Sequence, residues 1–209
     1  HPMLYWRENW GSAKIGAQVN LTLAQTVALK PKDPDYPAFV VMNQLLGGSA
    51  TSRLFLNLRV DKGYTYGAYS RAAAFDQGMV WTAEAETRAE VAWKARDEIL
   101  EEIDRIREVP VTAQVLGAVK RYLAGLFLIR LASCDLTADY VARLERDGKD
   151  AETELAAYLD RLEALTPEDI QRAARKHLDP GKMVQILVGD AGRIDAALAG
   201  PAKQAELAP

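Results

Sequence analysis

Gly47 to Tyr69 reads GGSATSRLFLNLRVDKGYTYGAY, and this stretch decides the fold. Gly47-Gly48 stop a preceding helix. A short second helix begins near Ser52, with Leu54, Phe55 and Leu58 on its buried face. Arg59 and Lys62 fall in its last turn, where cations suit the helix dipole. Gly63 ends it, and a strand follows. In that strand Tyr64, Tyr66 and Ala68 share one face, and Thr65, Gly67 and Tyr69 the other. Arg59 and Tyr66 are seven positions apart, separated by a basic helix end and a glycine turn. Both are hydrogen-bond donors that can point at one carbonyl oxygen.

The pattern extends on both sides of this stretch. Upstream, Ile15, Ala17, Val19, Leu21 and Leu23 alternate with polar or small residues, the period of a half-buried strand. The prolines of KPKDPDYP then break the chain. Asp35 is placed to cap a helix that tolerates Pro37 in its first turn. Ala38, Val41, Met42, Leu45 and Leu46 form its apolar stripe. Downstream, residues 64–74 and 79–88 read as a hairpin turning through Phe75-Asp76-Gln77-Gly78. Val91, Ala95, Ile99, Ile103 and Ile106 mark a long amphipathic helix carrying a Glu101–Arg105 pair. After Pro110, Leu116, Val119, Leu123, Leu126 and Phe127 mark another. Residues 135–147 and 152–165 read as helices. Thr166-Pro167-Glu168-Asp169 is a helix start with cap, proline and acid in place. Met183–Val188 is a last apolar strand. The alanine-rich tail after Arg193 reads as frayed.

Strand, two helices, hairpin, several helices and strand is the order of an α+β domain. Helices then form one layer, packed on one face of a mostly antiparallel sheet. The domain spans 13–193. His1-Pro2-Met3 looks like a cloning remnant, so residues 1–12 are read as that remnant plus an inter-domain linker, and 194–209 as the tail. The chain has 209 residues, 49% of them hydrophobic and 26% charged, enough for one well-filled core. A net charge of −3, with no basic patch interleaved with aromatics, argues against nucleic acid. No apolar run approaches the roughly 18 residues of a membrane span. The single cysteine, Cys134, excludes an intrachain disulfide and reads as a small half-buried hydrophobe. No residue fixes the compartment; a bacterial periplasm or cytoplasm suits the composition equally.

Chemistry is notable for what it lacks. A hydrolytic zinc site needs three or more side-chain ligands, usually histidines. Only His1 and His177 are present, and His177, in RKHLDP, reads as a helix-end residue. H-E-x-x-H, H-x-x-E-H, G-x-S-x-G, P-loop and dinucleotide glycine patterns are all missing. Glu84 and Glu86 alternate with Ala83 and Ala85, the solvated face of a strand. This leaves Arg59 and Tyr66, for which two readings stay open. In one, Arg59 neutralises a helix end and Tyr66 packs its ring. In the other, a guanidinium and a phenol on rigid backbone stabilise charge developing on a peptide carbonyl.

The segment NQLLGGSATSRLFLNLRVDKGYTYGAY resembles the signature of the pitrilysin (insulinase-type) zinc metallopeptidase family. The match is to the C-terminal domain of a half-unit, as in mitochondrial processing peptidase and bacterial two-domain zinc proteases. Ser52-Arg53-Leu54-Phe55, Leu58-Arg59, Gly63 and Tyr66 follow its order and spacing. HLDPGKMVQILVGD resembles the closing strand of that domain. The resemblance implies a two-layer α/β unit and a zinc site on another domain, or on a separate catalytic subunit in a heterodimer. It also implies that Arg59 and Tyr66 bind the peptide substrate near the scissile bond. It implies no catalytic or metal-ligating residue in this segment, which is expected to be inactive alone. Many relatives carry an acid directly after the arginine. Here Val60 follows it, which points to a divergent or noncatalytic half. The alternatives are a nonproteolytic scaffold or core subunit, and a peptide-binding module using sheet edges.

Overall fold

The computed structural model describes residues 18–199 apart from Asp76. Ile15, Ala17, the 1–12 segment and the end of the tail lie outside the described residues. Strand β1 spans Gln18–Val27, and the alternation read from its sequence sets its pleat. Val19, Leu21 and Leu23 are buried and Gln18, Asn20 and Thr26 are exposed. Strands β2 (Thr65–Phe75) and β3 (Gly78–Arg88) form the expected hairpin. Strand β4 (Val184–Val188) closes the sheet. The order is β2-β3-β1-β4, antiparallel throughout, so β2 and β4 are edges.

Eight α-helices accompany the sheet among the described residues. They are α1 (Tyr36–Gly47), α2 (Arg53–Phe55), α3 (Ala92–Glu108) and α4 (Ala113–Leu131). After them come α5 (Cys134–Arg146), α6 (Ala151–Ala164), α7 (Pro167–His177) and α8 (Ala191–Ala199). Helix α1 packs on β2 and α7, and α3 packs on β3 and β1. One contiguous core joins the two layers, with Trp81, Phe39, Met42, Leu54, Ile99 and Ile103 fully buried in it. The sheet's alternation supplies its side of that core through Trp81, Ala83 and Ala85, while Glu84 and Glu86 face outward. The α+β layering read from the sequence is therefore the observed one. No single helix among the described residues is long and apolar enough to cross a membrane.

One polar link ties the layers together. The Asn43 Oδ1 of α1 accepts from Trp81 Nε1 and from Ser70 Oγ, both at 2.8 Å. A buried indole N–H needs such a partner. Gly47 allows α1 to come this close, because a Cβ there would lie 2.7 Å from Ser70 Cβ and nearer still to its backbone. The capping box read at Thr166 is present. Its hydroxyl accepts from the Asp169 N–H at 3.2 Å, and the Asp169 carboxylate accepts from the Thr166 N–H at 2.9 Å.

Several local expectations fail. Asp35 precedes α1 but makes no capping bond. Its carboxylate instead binds Lys176 Nζ at 2.6 Å and His177 Nε2 at 3.1 Å at the end of α7. Two cationic or ring donors from another helix outcompete its own backbone. Cys134 is exposed, because it opens α5 at the surface. Arg105 pairs with Glu102, one turn back and buried, at 2.7 Å rather than with Glu101. Helix α8 (Ala191–Ala199) runs across the boundary read between 193 and 194, and residues 200–209 lie outside the described residues. Ile194 is buried there, and its carbonyl accepts from Trp93 Nε1 at 3.0 Å.

Candidate functional site

The chain between α2 and β2 is not a simple helix end. Helix α2 makes a single turn and widens into a π-helical segment, Leu56–Asp61. Such insertions are rare and concentrate at functional sites. Leu54, Phe55 and Leu58 face the core, as their spacing predicts. On the side toward α3 the π turn is held by polar groups. Asn57 Nδ2 donates to Glu98 Oε2 at 3.0 Å and to Glu102 Oε1 at 3.1 Å. Lys62 Nζ pairs with Glu98 at 2.8 Å and holds its carboxyl below the usual range. Burial pulls the Arg53 guanidinium down from its ordinary value, and the Glu102 charge opposes that shift. Gly63 then turns the chain at φ 64, a left-handed conformation that glycine adopts without strain.

This geometry presents Arg59 to the start of β2. Its Nη1 donates to the main-chain carbonyl of Tyr66 at 2.7 Å, and its guanidinium lies over the Phe55 ring, 5.1 Å from the centroid. Phe55 is four residues before Arg59, a contact that helical spacing makes legible and that the sequence reading missed.

Tyr66 does not share a face with Ala68. Thr65 pairs with Thr87 but Ala68 with Ala85, so β2 spends one extra residue there. That is a β-bulge, which breaks the period of two and re-aims a side chain. Ala68 is fully buried while Tyr66 is 83% exposed. The Thr65 hydroxyl stitches the bulge. It accepts from the Gly67 N–H at 3.1 Å and lies within donating distance of the Glu86 and Gly67 carbonyls, at 2.6 and 2.9 Å.

The structure thus joins Arg59 to the backbone of Tyr66 and leaves the Tyr66 phenol in solvent. Among the described residues, neither the phenol nor the remaining Arg59 N–H groups bond to a protein acceptor. The other ionisable candidates are dispersed. Glu84 and Glu86 are exposed on the outer sheet face. His177 ends α7, bonded to Asp35 and edge-on to Phe39 at 5.8 Å. Among the described residues no group of three His, Cys, Asp or Glu side chains is placed to hold a metal ion.

The family model for the peptidase M16 inactive domain matches residues 13–123, just over half of the chain. The zinc protease YmxG of Bacillus subtilis is 28% identical over 110 residues, 53% of this chain and 25% of that protein. YmfF of the same organism, described as a probable inactive metalloprotease, is 24% identical over 159 residues, 76% of this chain and 36% of that protein. The crystal structure of a peptidase M16 inactive domain from Pseudomonas fluorescens superposes with a TM-score of 0.73 at 28% identity. It covers 82% of this chain and 40% of that one. The chain spans about a quarter to a third of the curated relatives it matches. With the two-layer fold and a family match that spans the Gly47–Tyr69 stretch, the chain belongs to the peptidase M16 inactive-domain family, the inactive C-terminal domain of zinc-protease-like proteins.

Proposed function

We propose that this domain lends Arg59 and Tyr66 to a composite peptide-hydrolysing site, completed by a zinc-bearing domain elsewhere in the same protein or in a partner subunit of the family. The observation that carries this reading is the 2.7 Å bond from Arg59 Nη1 to the Tyr66 carbonyl. It spends one arginine N–H on fixing the guanidinium, and the others stay free for a substrate carbonyl. The Tyr66 phenol, 83% exposed, is the second donor in this reading. Donors fixed before the reaction stabilise developing oxyanion charge without reorganising, and each is worth about 3 kcal/mol in the transition state. The bulge at Tyr66 and the π turn at Arg59 are both departures from regular structure. Each carries one member of the pair, and such departures concentrate at functional sites.

The test is steady-state kinetics of the complete protein with its zinc domain, comparing wild type, Arg59→Ala and Tyr66→Phe, with melting temperatures alongside. The expected result is a kcat loss of about two to three orders of magnitude in each variant with little change in melting. Arg59→Ala also raises KM, because a guanidinium holds the resting carbonyl as well. Unchanged kcat and KM in both variants would reduce the pair to a surface cation and an exposed ring. A second reading, a nonproteolytic scaffold, is favoured by Val60 standing where an acid commonly follows the arginine. It predicts full assembly with no turnover in wild type.

A further inference from the structure

Away from Arg59 and Tyr66, helices α1, α4, α5 and α6 line a half-open cavity of about 340 Å3. That volume is within the range of small-molecule sites. Its walls are mainly apolar, with Val40, Leu123, Leu126, Leu144 and Leu162 among them. Its aromatic side is ordered. Phe127 stacks on Tyr158 with centroids 4.2 Å apart, and meets Tyr140 edge-on at 6.2 Å. Arg130 lies over the Tyr140 ring at 4.7 Å and Lys149 over the Tyr36 ring at 5.6 Å.

Two features separate this cavity from a packing defect. Tyr36, Tyr140 and Tyr158 all line it, and none of their hydroxyls bonds to a protein group among the described residues. None of the three is a sealed, orphaned atom, so each hydroxyl is open to the cleft and free to donate there. Burial also raises all three above the usual phenol range, so they stand as neutral donors at physiological pH. The lining carries Arg130, Arg143, Lys149 and Arg161 against two carboxylates, Asp147 and Glu154, and Asp147 is paired with Arg146 at 3.1 Å. Glu154 is matched by both Lys149 at 3.1 Å and Arg161 at 2.7 Å, and Arg143 pairs with Asp139. Arg130 lines the cavity with no carboxylate in ion-pair range among the described residues. An apolar chamber whose polar side offers phenol donors and a spare guanidinium is complementary to an anion on a hydrocarbon body.

We propose that this cavity binds a small amphipathic carboxylate of the medium-chain fatty acid type. The chain lies against Phe127 and the leucines, and the carboxylate takes hydrogen bonds from Arg130 and the phenols. An unbranched chain suits walls of mixed aromatic and aliphatic shape. The assignment is independent of the Arg59–Tyr66 reading.

The experiment is calorimetric titration of this chain with decanoate, with decanol and decyltrimethylammonium as neutral and cationic controls. Saturable binding at one site is expected. Decanol and decyltrimethylammonium should bind at least about tenfold more weakly, because each lacks the charge-assisted hydrogen bonds. Arg130→Gln should weaken decanoate about tenfold. Leu126→Trp, which adds bulk at a residue 40% exposed at the cavity mouth, should abolish binding. Neither variant removes an ion pair or a fully buried side chain, so melting should hold and show the fold intact. The proposal is overturned by non-saturating decanoate, by equal affinity for the cationic control, or by unchanged affinity in both variants. A peptide C-terminal carboxylate that binds more tightly than decanoate also overturns it.

Discussion

Replacing Asn57 by alanine tests whether the π turn is held by α3. The Asn57 amide donates to two carboxylates, at 3.0 Å to Glu98 and 3.1 Å to Glu102. Hydrogen bonds to charged groups contribute about 1.5–3 kcal/mol each. Glu98 is partly exposed and keeps Lys62, so its share lies at the low end. Glu102 is 3% exposed, and its Oε2 already lacks a partner, so losing the amide leaves a buried carboxylate with Arg105 alone. Alanine recovers about 0.5 kcal/mol of helix propensity. The net cost is about 2.5–4 kcal/mol, or a melting temperature lower by roughly 5–16 °C for a domain of this size. Lys62→Ala is the internal control. It removes a solvent-screened pair whose lysine is 42% exposed and should cost clearly less than Asn57→Ala. Urea and thermal unfolding of both variants give the comparison, and amide exchange should accelerate selectively in residues 56–61 of Asn57→Ala. A loss below about 0.5 kcal/mol, or an equal loss from Lys62→Ala, would refute the idea that Asn57 fixes the segment carrying Arg59.

Two further substitutions probe the frame. Lys176 and His177 hold the Asp35 carboxyl below its ordinary range, so its contribution is full above the unfolded value of about 4 and is lost as pH falls through the folded one. Asp35→Asn should therefore melt lower than wild type at pH 7, and the gap should close in titrations below pH about 4; a gap independent of pH would contradict this. Gly47→Ala drives a methyl into the Ser70 backbone and should destabilise by about 2 kcal/mol or more. Measured stability within about 0.5 kcal/mol of wild type would show that α1 and β2 are not in close contact.

Much of this protein is written locally. The alternation of Val19, Leu21 and Leu23 marks β1, because one buried face imposes a period of two. The isoleucines at 99, 103 and 106 mark the inner face of α3 for the same reason at helical period. Thr166-Pro167-Glu168-Asp169 marks the start of α7, because its cap closes within four residues. The Gly47–Tyr69 motif also placed Arg59 and Tyr66 on either side of a glycine turn. What the sequence could not determine depends on atoms brought from elsewhere. Tyr66 leaves the face of Ala68 because β2 must keep register with β3, and the bulge is the residue left over. The turn under Arg59 widens to a π-helix where Asn57 meets carboxylates 41 and 45 residues away. Asp35 gives up its own helix for partners 141 and 142 residues along the chain. The cavity beside Phe127 exists only where four helices meet. Periodicity and capping act over one or two turns and are visible in any window of that length. Register, long-range ion pairs and cavity volume arise only when distant segments pack, and those were the tertiary structure's to decide.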